Sequence, residues 1–113
     1  MRFHRFESLE EYLPADHQGV VNRLLVGGGH GVDEVSVWHG RLKPGGRSEL
    51  HIHESSRQVY IGISGELTVG DGDSDEVLLP MSTAIFDPGS EHFIENRSDN
   101  DAEVLVISVP GLK

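Results

Sequence analysis

The sequence has 113 residues, 36% hydrophobic and 25% charged, which fits one compact domain and leaves no room for a second. A formal charge of −10 argues against nucleic acid and anionic membrane surfaces, whose phosphates attract Lys and Arg, and leaves small molecules as partners. The absence of cysteine rules out disulfides and thiolate metal sites, so any metal must be held by nitrogen and oxygen.

In chain order, Met1-Arg2-Phe3-His4 opens no apolar run long enough for a signal peptide, and no stretch reaches transmembrane length. A cytoplasmic location is expected. Ser8 and Glu11 stand at capping-box spacing and Pro14 stops the segment, which predicts one short helix over residues 8–13. Beyond it, 14 glycines and 5 prolines punctuate short apolar runs, the pattern of an all-β sandwich or barrel. Strands are predicted over Val20–Val26, Val32–Leu42, Glu49–His53, Gln58–Ile63, Glu66–Val69, Val77–Leu79, Thr83–Phe86, His92–Asn96 and Val104–Val109. The glycine run Gly27-Gly28-Gly29-His30-Gly31 lacks the Lys-Ser/Thr and the helix of a phosphate loop and reads as a connection. Pro44-Gly45-Gly46 and Asp99-Asn100-Asp101 read as turns. Asp71 to Glu76 carries the alternating acids of a calcium loop, but Glu76 and Ser82 stand where glycine and glutamate are needed; a solvated hairpin tip is expected.

The chemistry lies in four residues. Positions two apart on a strand point the same way, so His51 and His53 can offer both imidazoles to one ion. After the turn Glu54-Ser55-Ser56-Arg57, Gln58 opens the next strand able to face the same interior, and His92 arrives from a strand across the barrel. Tyr60, two beyond Gln58, shares that face, either as a barrel-lining residue that shapes the pocket or as the candidate catalytic proton carrier. Val59, Ile61 and Ile63 form the opposite face of the same strand, so its back requires a cover. In a chain this short the cover is the N-terminal segment, residues 1–30, or a second subunit, and a homodimer is expected. His39 and Arg41 either line the pocket or lie outside it. Trp38 is assigned to the core, Arg57 and Glu49 flank the ligands, and His4, His17 and His30 are assigned to the surface.

Written out, the central stretch is Gly45-x5-His51-x-His53-x4-Gln58-x6-Gly65, and the later one is Asp87-Pro88-Gly89-Ser90-Glu91-His92-x3-Asn96. These resemble the two motifs of the cupin superfamily, G-x5-H-x-H-x3-4-E-x6-G and G-x5-P-x-G-x2-H-x3-N, over roughly half the chain. The departures are Gln58 for glutamate, Asp87 for proline and Met81 for the opening glycine. The resemblance implies a single double-stranded β-helix, the cupin jelly-roll barrel, with its core over residues 35–109. It also implies one divalent transition metal ion (Fe, Mn, Ni or Zn) held by His51, His53, Gln58 and His92. Asn96 is expected to support the fold or the ligands by hydrogen bonding.

With an amide in place of a carboxylate, the ion's double charge is uncompensated, which favours anionic, chelating ligands. The ligand spacing is similar to that of small pectin-degradation cupins that open the ring of unsaturated uronates, although Ser108 to Lys113 lack the arginine and aspartate those proteins carry. Some cupin lyases acting on dimethylsulfoniopropionate use a tyrosine in the place of Tyr60. The expected function is a metal-dependent isomerase or lyase using the ion as a Lewis acid on a small oxygenated anionic substrate. A non-haem dioxygenase is the second reading, and a non-catalytic small-molecule-binding cupin the third. Catalysis ranks above binding because an open four-ligand site is a costly way simply to hold a fold together.

Overall fold

A computed structural model describes residues 1–112. The glycine- and proline-punctuated runs become nine strands: β1 (His17–Val26), β2 (Ser36–Ser48), β3 (His51–Ile52), β4 (Arg57–Ser64), β5 (Leu67–Gly70), β6 (Asp75–Leu78), β7 (Thr83–Phe86), β8 (Glu91–Glu95) and β9 (Ala102–Val109). All pair antiparallel, in the order β6-β5-β8-β2-β9-β4-β7, with β1 against β2 and β3 against β8. The result is the nearly closed jelly-roll barrel expected of the sequence. Among the described residues no helix is long and apolar enough to cross a membrane.

Two local expectations are corrected. No α-helix forms over residues 8–13; a 3-10 turn at Phe6–Ser8 overlaps only the first of them. The Ser8 hydroxyl donates to the Arg5 carbonyl rather than capping a helix, and Tyr12 exchanges two backbone hydrogen bonds with Asn22 at 2.7 and 2.8 Å. Glu11, the other half of the supposed capping box, pairs with Arg23 at 3.1 Å. Pairing with the sheet therefore outweighs a weak local helix signal. Pro44-Gly45-Gly46 is not a chain reversal either, because β2 runs through it to Ser48. Gly45 takes φ +81°, and a Cβ on Gly46 would stand 2.6 Å from the Gly19 carbonyl oxygen. Only a bare backbone passes there. The hairpin tip after β5 is as expected, with the Asp71 carboxylate receiving the Asp73 and Ser74 amides at 2.9 Å.

Register decides what faces inward. Paired residues on adjacent strands share a side, so Trp38, Val106 and Tyr60 form one inward row, Leu42 and Ala102 another, and Gln58 lies opposite Ser108 and Phe86. Leu42, Tyr60, Phe86, Ile94, Ala102 and Val104 are buried in the core. The alternate rows face out, among them Arg23, His39 and Leu105. This answers where His39 and Arg41 lie: outside. His39 meets Glu103 at 2.6 Å and Phe6 edge-on, with ring centroids 4.8 Å apart. Arg23 stacks on the Phe6 ring at 4.4 Å. The N-terminal segment thus covers the back of β1 and β2, while Ile63 on β4 (39%) and Ile85 on β7 (65%) stay exposed.

Candidate metal centre

The cross-strand pair His51↔His92 between β3 and β8 brings together side chains forty-one positions apart. Their ring centroids lie 4.2 Å apart, and His53, one pleat beyond His51, adds its ring at 4.9 Å from His51 and 5.2 Å from His92. One ligand atom from each of the three falls within 4.8 Å of the others. The fold therefore brings the three histidines together.

Two of the three imidazoles have their tautomer fixed by the backbone. Nδ1–H of His51 donates to the Glu49 carbonyl at 2.7 Å, and Nδ1–H of His92 to the Ser90 carbonyl at 3.2 Å. Since a carbonyl only accepts, the proton of each neutral ring sits on Nδ1, and Nε2 carries a free lone pair. For His92, 1% exposed, that Nε2 is buried without a hydrogen-bond partner. A buried, unpaired nitrogen costs about 1–3 kcal/mol, and in this position it fits a metal ion well. Desolvation is the first cause lowering the pKa values of all three; neighbouring imidazoles add to it. His92 falls to about 4, so the rings are neutral and ready to coordinate at pH 7. A parallel stack on Phe86, centroids 4.9 Å apart, fixes the His92 ring plane.

Gln58 is 3% exposed and lines the same cavity as His51 and His53. Its Nε2–H donates to Ser108 Oγ at 2.9 Å, and its Oε1 receives the Tyr60 hydroxyl at 3.4 Å. This chain fixes which way the amide points and leaves Oε1 a second lone pair. Burial pushes the Tyr60 phenol up, so the phenol keeps its proton and donates it to Gln58. Asn96, fully buried, donates to the Leu42 and Asn100 carbonyls at 2.9 and 2.7 Å and supports the fold away from the site.

The cavity in front of these groups has a volume of about 400 Å³. Its walls are mainly apolar, with Val20, Trp38, Leu42, Val104 and Val106 from the barrel and Leu112 from the C-terminal tail. Trp38, assigned to the core, is in fact half-buried in the cavity wall. Arg57 lies outside it, paired with Asp87 at 3.0 Å, whereas Glu49 stands at the mouth.

Sequence reasoning missed two contributors. Ser108 was read only as part of a strand, and it anchors Gln58. His17 was placed on the surface, yet β1 starts at that residue and its ring lies 5.9 Å from that of His51, at the cavity mouth. The other two histidines assigned to the surface, His4 and His30, meet in a tilted ring pair with centroids 4.5 Å apart, and His30 is half-buried.

A barrel of this topology with three inward histidines defines a cupin, and comparison with known proteins agrees. The family model for the Cupin domain matches residues 38–108, and the chain belongs to that family. The oxalate-binding protein of Thermotoga maritima is 30% identical over 69 residues, 61% of this chain. The match spans only 57% of that relative's length. Among solved structures, a predicted oxalate decarboxylase from Thermotoga maritima superposes with a TM-score of 0.85 at 22% identity, covering 96% of this chain and 99% of that one. A sugar phosphate isomerase of the cupin superfamily from Silicibacter pomeroyi gives 0.82 at 26%, covering 96% and 75%. KdgF from a Halomonas species gives 0.83 at 14%, covering 97% and 94%. The first and last of these structural likenesses establish the fold alone.

Proposed function

We propose that this cupin holds one divalent transition metal ion through His51 Nε2, His92 Nε2 and a ring nitrogen of His53, with Gln58 Oε1 completing the set. The bound ion would serve as a Lewis acid that polarises a carbonyl or enolate oxygen of a small anionic substrate undergoing isomerisation or cleavage. The observation that carries this reading is the buried, unpartnered Nε2 of His92 facing two further imidazoles. Nitrogen and oxygen donors suit Fe, Mn, Ni and Zn alike, so geometry leaves the choice of metal to availability.

The chain's own residues divide the remaining work. Tyr60 and Ser108 hold the Gln58 amide in one orientation. Trp38, Leu42, Val104 and Val106 form an apolar wall that lowers the local dielectric and strengthens electrostatic interactions beside it. A relative named for binding oxalate, and a neighbour named as an isomerase, are consistent with a small oxygenated substrate.

Protein purified without a metal-binding tag and assayed by elemental analysis should carry close to one equivalent of metal, and His92→Ala should carry almost none. Wild-type protein without metal, or a variant that retains it, refutes the site. Reconstitution with zinc and with manganese should support turnover of oxo- and hydroxy-acids under anaerobic conditions, followed by NMR. Obligate oxygen consumption would instead make it a dioxygenase, and tight binding without chemical change a binding protein.

A further inference from the structure

The cavity mouth is closed on one side by a segment of fixed shape. Asp16 adopts φ +59°, a left-handed conformation uncommon for a residue other than glycine. Its carbonyl receives the Glu49 amide at 3.1 Å, and the next residue, His17, pairs with Ser48 across β1 and β2. The strain is held in place by pairing on the very segment that leads to His51. His17 Nδ1–H then donates to the Ala15 carbonyl, two residues back, at 2.7 Å.

That lock is the one found at His51 and His92, each of which donates Nδ1–H to the carbonyl two residues before it. His17 and His51 on the cavity, and His92 beside them in the cluster, thus have the same tautomer imposed, with a bare Nε2 in the neutral ring. His17 nonetheless stands apart from the ligand cluster, which comprises His51, His53 and His92. Its nitrogen is therefore available to a molecule bound at the centre, as an acceptor for a hydroxyl. The charges nearby limit what that molecule can be. Asp16 and Glu49 border the mouth, and no Lys or Arg is among the described residues lining the cavity. An anionic group would thus find a cation only in an ion held at the three-histidine centre, and a second one placed outward would meet two carboxylates.

We propose that His17 is a specificity residue that receives a hydroxyl of a singly charged hydroxycarboxylate whose carboxylate sits at the three-histidine centre. This rests on the metal-centre reading above and adds the substrate class to it.

The test uses the full chain loaded with zinc and titrated with glycerate, with propanoate as the deoxygenated reference and 3-phosphoglycerate as the doubly anionic one. Wild type should bind glycerate better than either. A single neutral hydrogen bond predicts that His17→Ala loses about 3- to 10-fold of the preference for glycerate over propanoate, with zinc affinity unchanged. His17→Gln, whose amide oxygen also accepts, should regain part of it and stands in if the alanine variant does not fold. An unchanged preference in both variants overturns the proposal, as does tighter binding of 3-phosphoglycerate than of glycerate. A tenfold loss of zinc affinity on removing His17 also overturns it, by making His17 a ligand. If wild type fails to take up zinc, or His92→Ala still does, the metal centre itself is wrong and this inference falls with it.

Discussion

Exchanging Gln58 for glutamate should move stability and metal affinity in opposite directions. The substitution keeps the side chain's shape. The Tyr60 hydroxyl can still donate to the acid, and the Ser108 hydroxyl can turn to donate where it formerly accepted. No polar atom is orphaned, but a site 3% exposed now holds an acid beside three neutral imidazoles. Without metal, burying that acid should cost about 1–3 kcal/mol, by desolvation of its charge or by taking up a proton. With a dication present the sign reverses. Two unit charges 4 Å apart attract by about 4 kcal/mol at an effective dielectric constant of about 20, hence about 8 kcal/mol for a doubly charged ion. Desolvation of the carboxylate takes back several kcal/mol. A net gain of about 1.4–2.8 kcal/mol, or about 10- to 100-fold tighter binding, is the expectation. Competition with a chromogenic chelator measures the affinity, and urea melts with and without zinc measure the stability. If Gln58→Glu binds zinc no better than wild type while His92→Ala loses it, Gln58 does not touch the ion.

Acid should weaken the metal-free protein through the same histidines. His92 is held at about 4 in the folded chain against 6.5 when free, so the unfolded chain takes up the proton first. Stability is complete above about pH 6.5 and is lost as pH falls towards 4. The difference corresponds to at most about 3 kcal/mol, and solvent in the open cavity reduces it to about 1–2 kcal/mol. Melts of the chelated protein from pH 7 to 4 check this, and His92→Ala should flatten the slope. A profile unaffected by that substitution would place the acid sensitivity elsewhere. The second copy proposed for this chain should sit on the outer face of β4 and β7, where Ile85 is 65% and Ile63 39% exposed beside half-buried Val59 and Ile61. Ile85→Glu with Ile63→Glu should then convert a dimer to a folded monomer by light scattering; a wild type that is already monomeric removes that assignment.

Strand positions were largely legible because alternation and glycine punctuation are local, and the histidine cluster because β-strand phase carries His51 and His53 to one side whatever the rest of the chain does. What escaped the sequence depends on partners distant along it. The capping signal of Ser8 and Glu11 was outweighed by Tyr12 pairing with Asn22, and the apparent turn at Pro44-Gly45-Gly46 was drawn straight through by Asn96, which exchanges backbone hydrogen bonds with Gly45 and Gly46 at 2.8 Å. His39 could not be phased without knowing that Leu105 lies opposite it. His17 was hidden because β1 begins three residues earlier than its apolar run, and nothing in Ala15-Asp16-His17 says that the strand starts beside the histidine cluster.

The donor set and the surface charge fit together. The chain carries a net −10, yet nearly all of its acids lie outside the cavity, and the groups that converge on the three-histidine centre are neutral. A carboxylate at position 58 would cancel part of an ion's charge from within the protein; the amide leaves that charge to be matched by whatever binds. The ion would then be the one strong attraction for an anion in a field otherwise repulsive to it. Such an arrangement discriminates by position: an anionic group that reaches the centre is held, and one left at the mouth faces Asp16 and Glu49. On the proposed reading, selectivity for a small, singly charged ligand would follow from where the protein withholds charge as much as from where it supplies contacts.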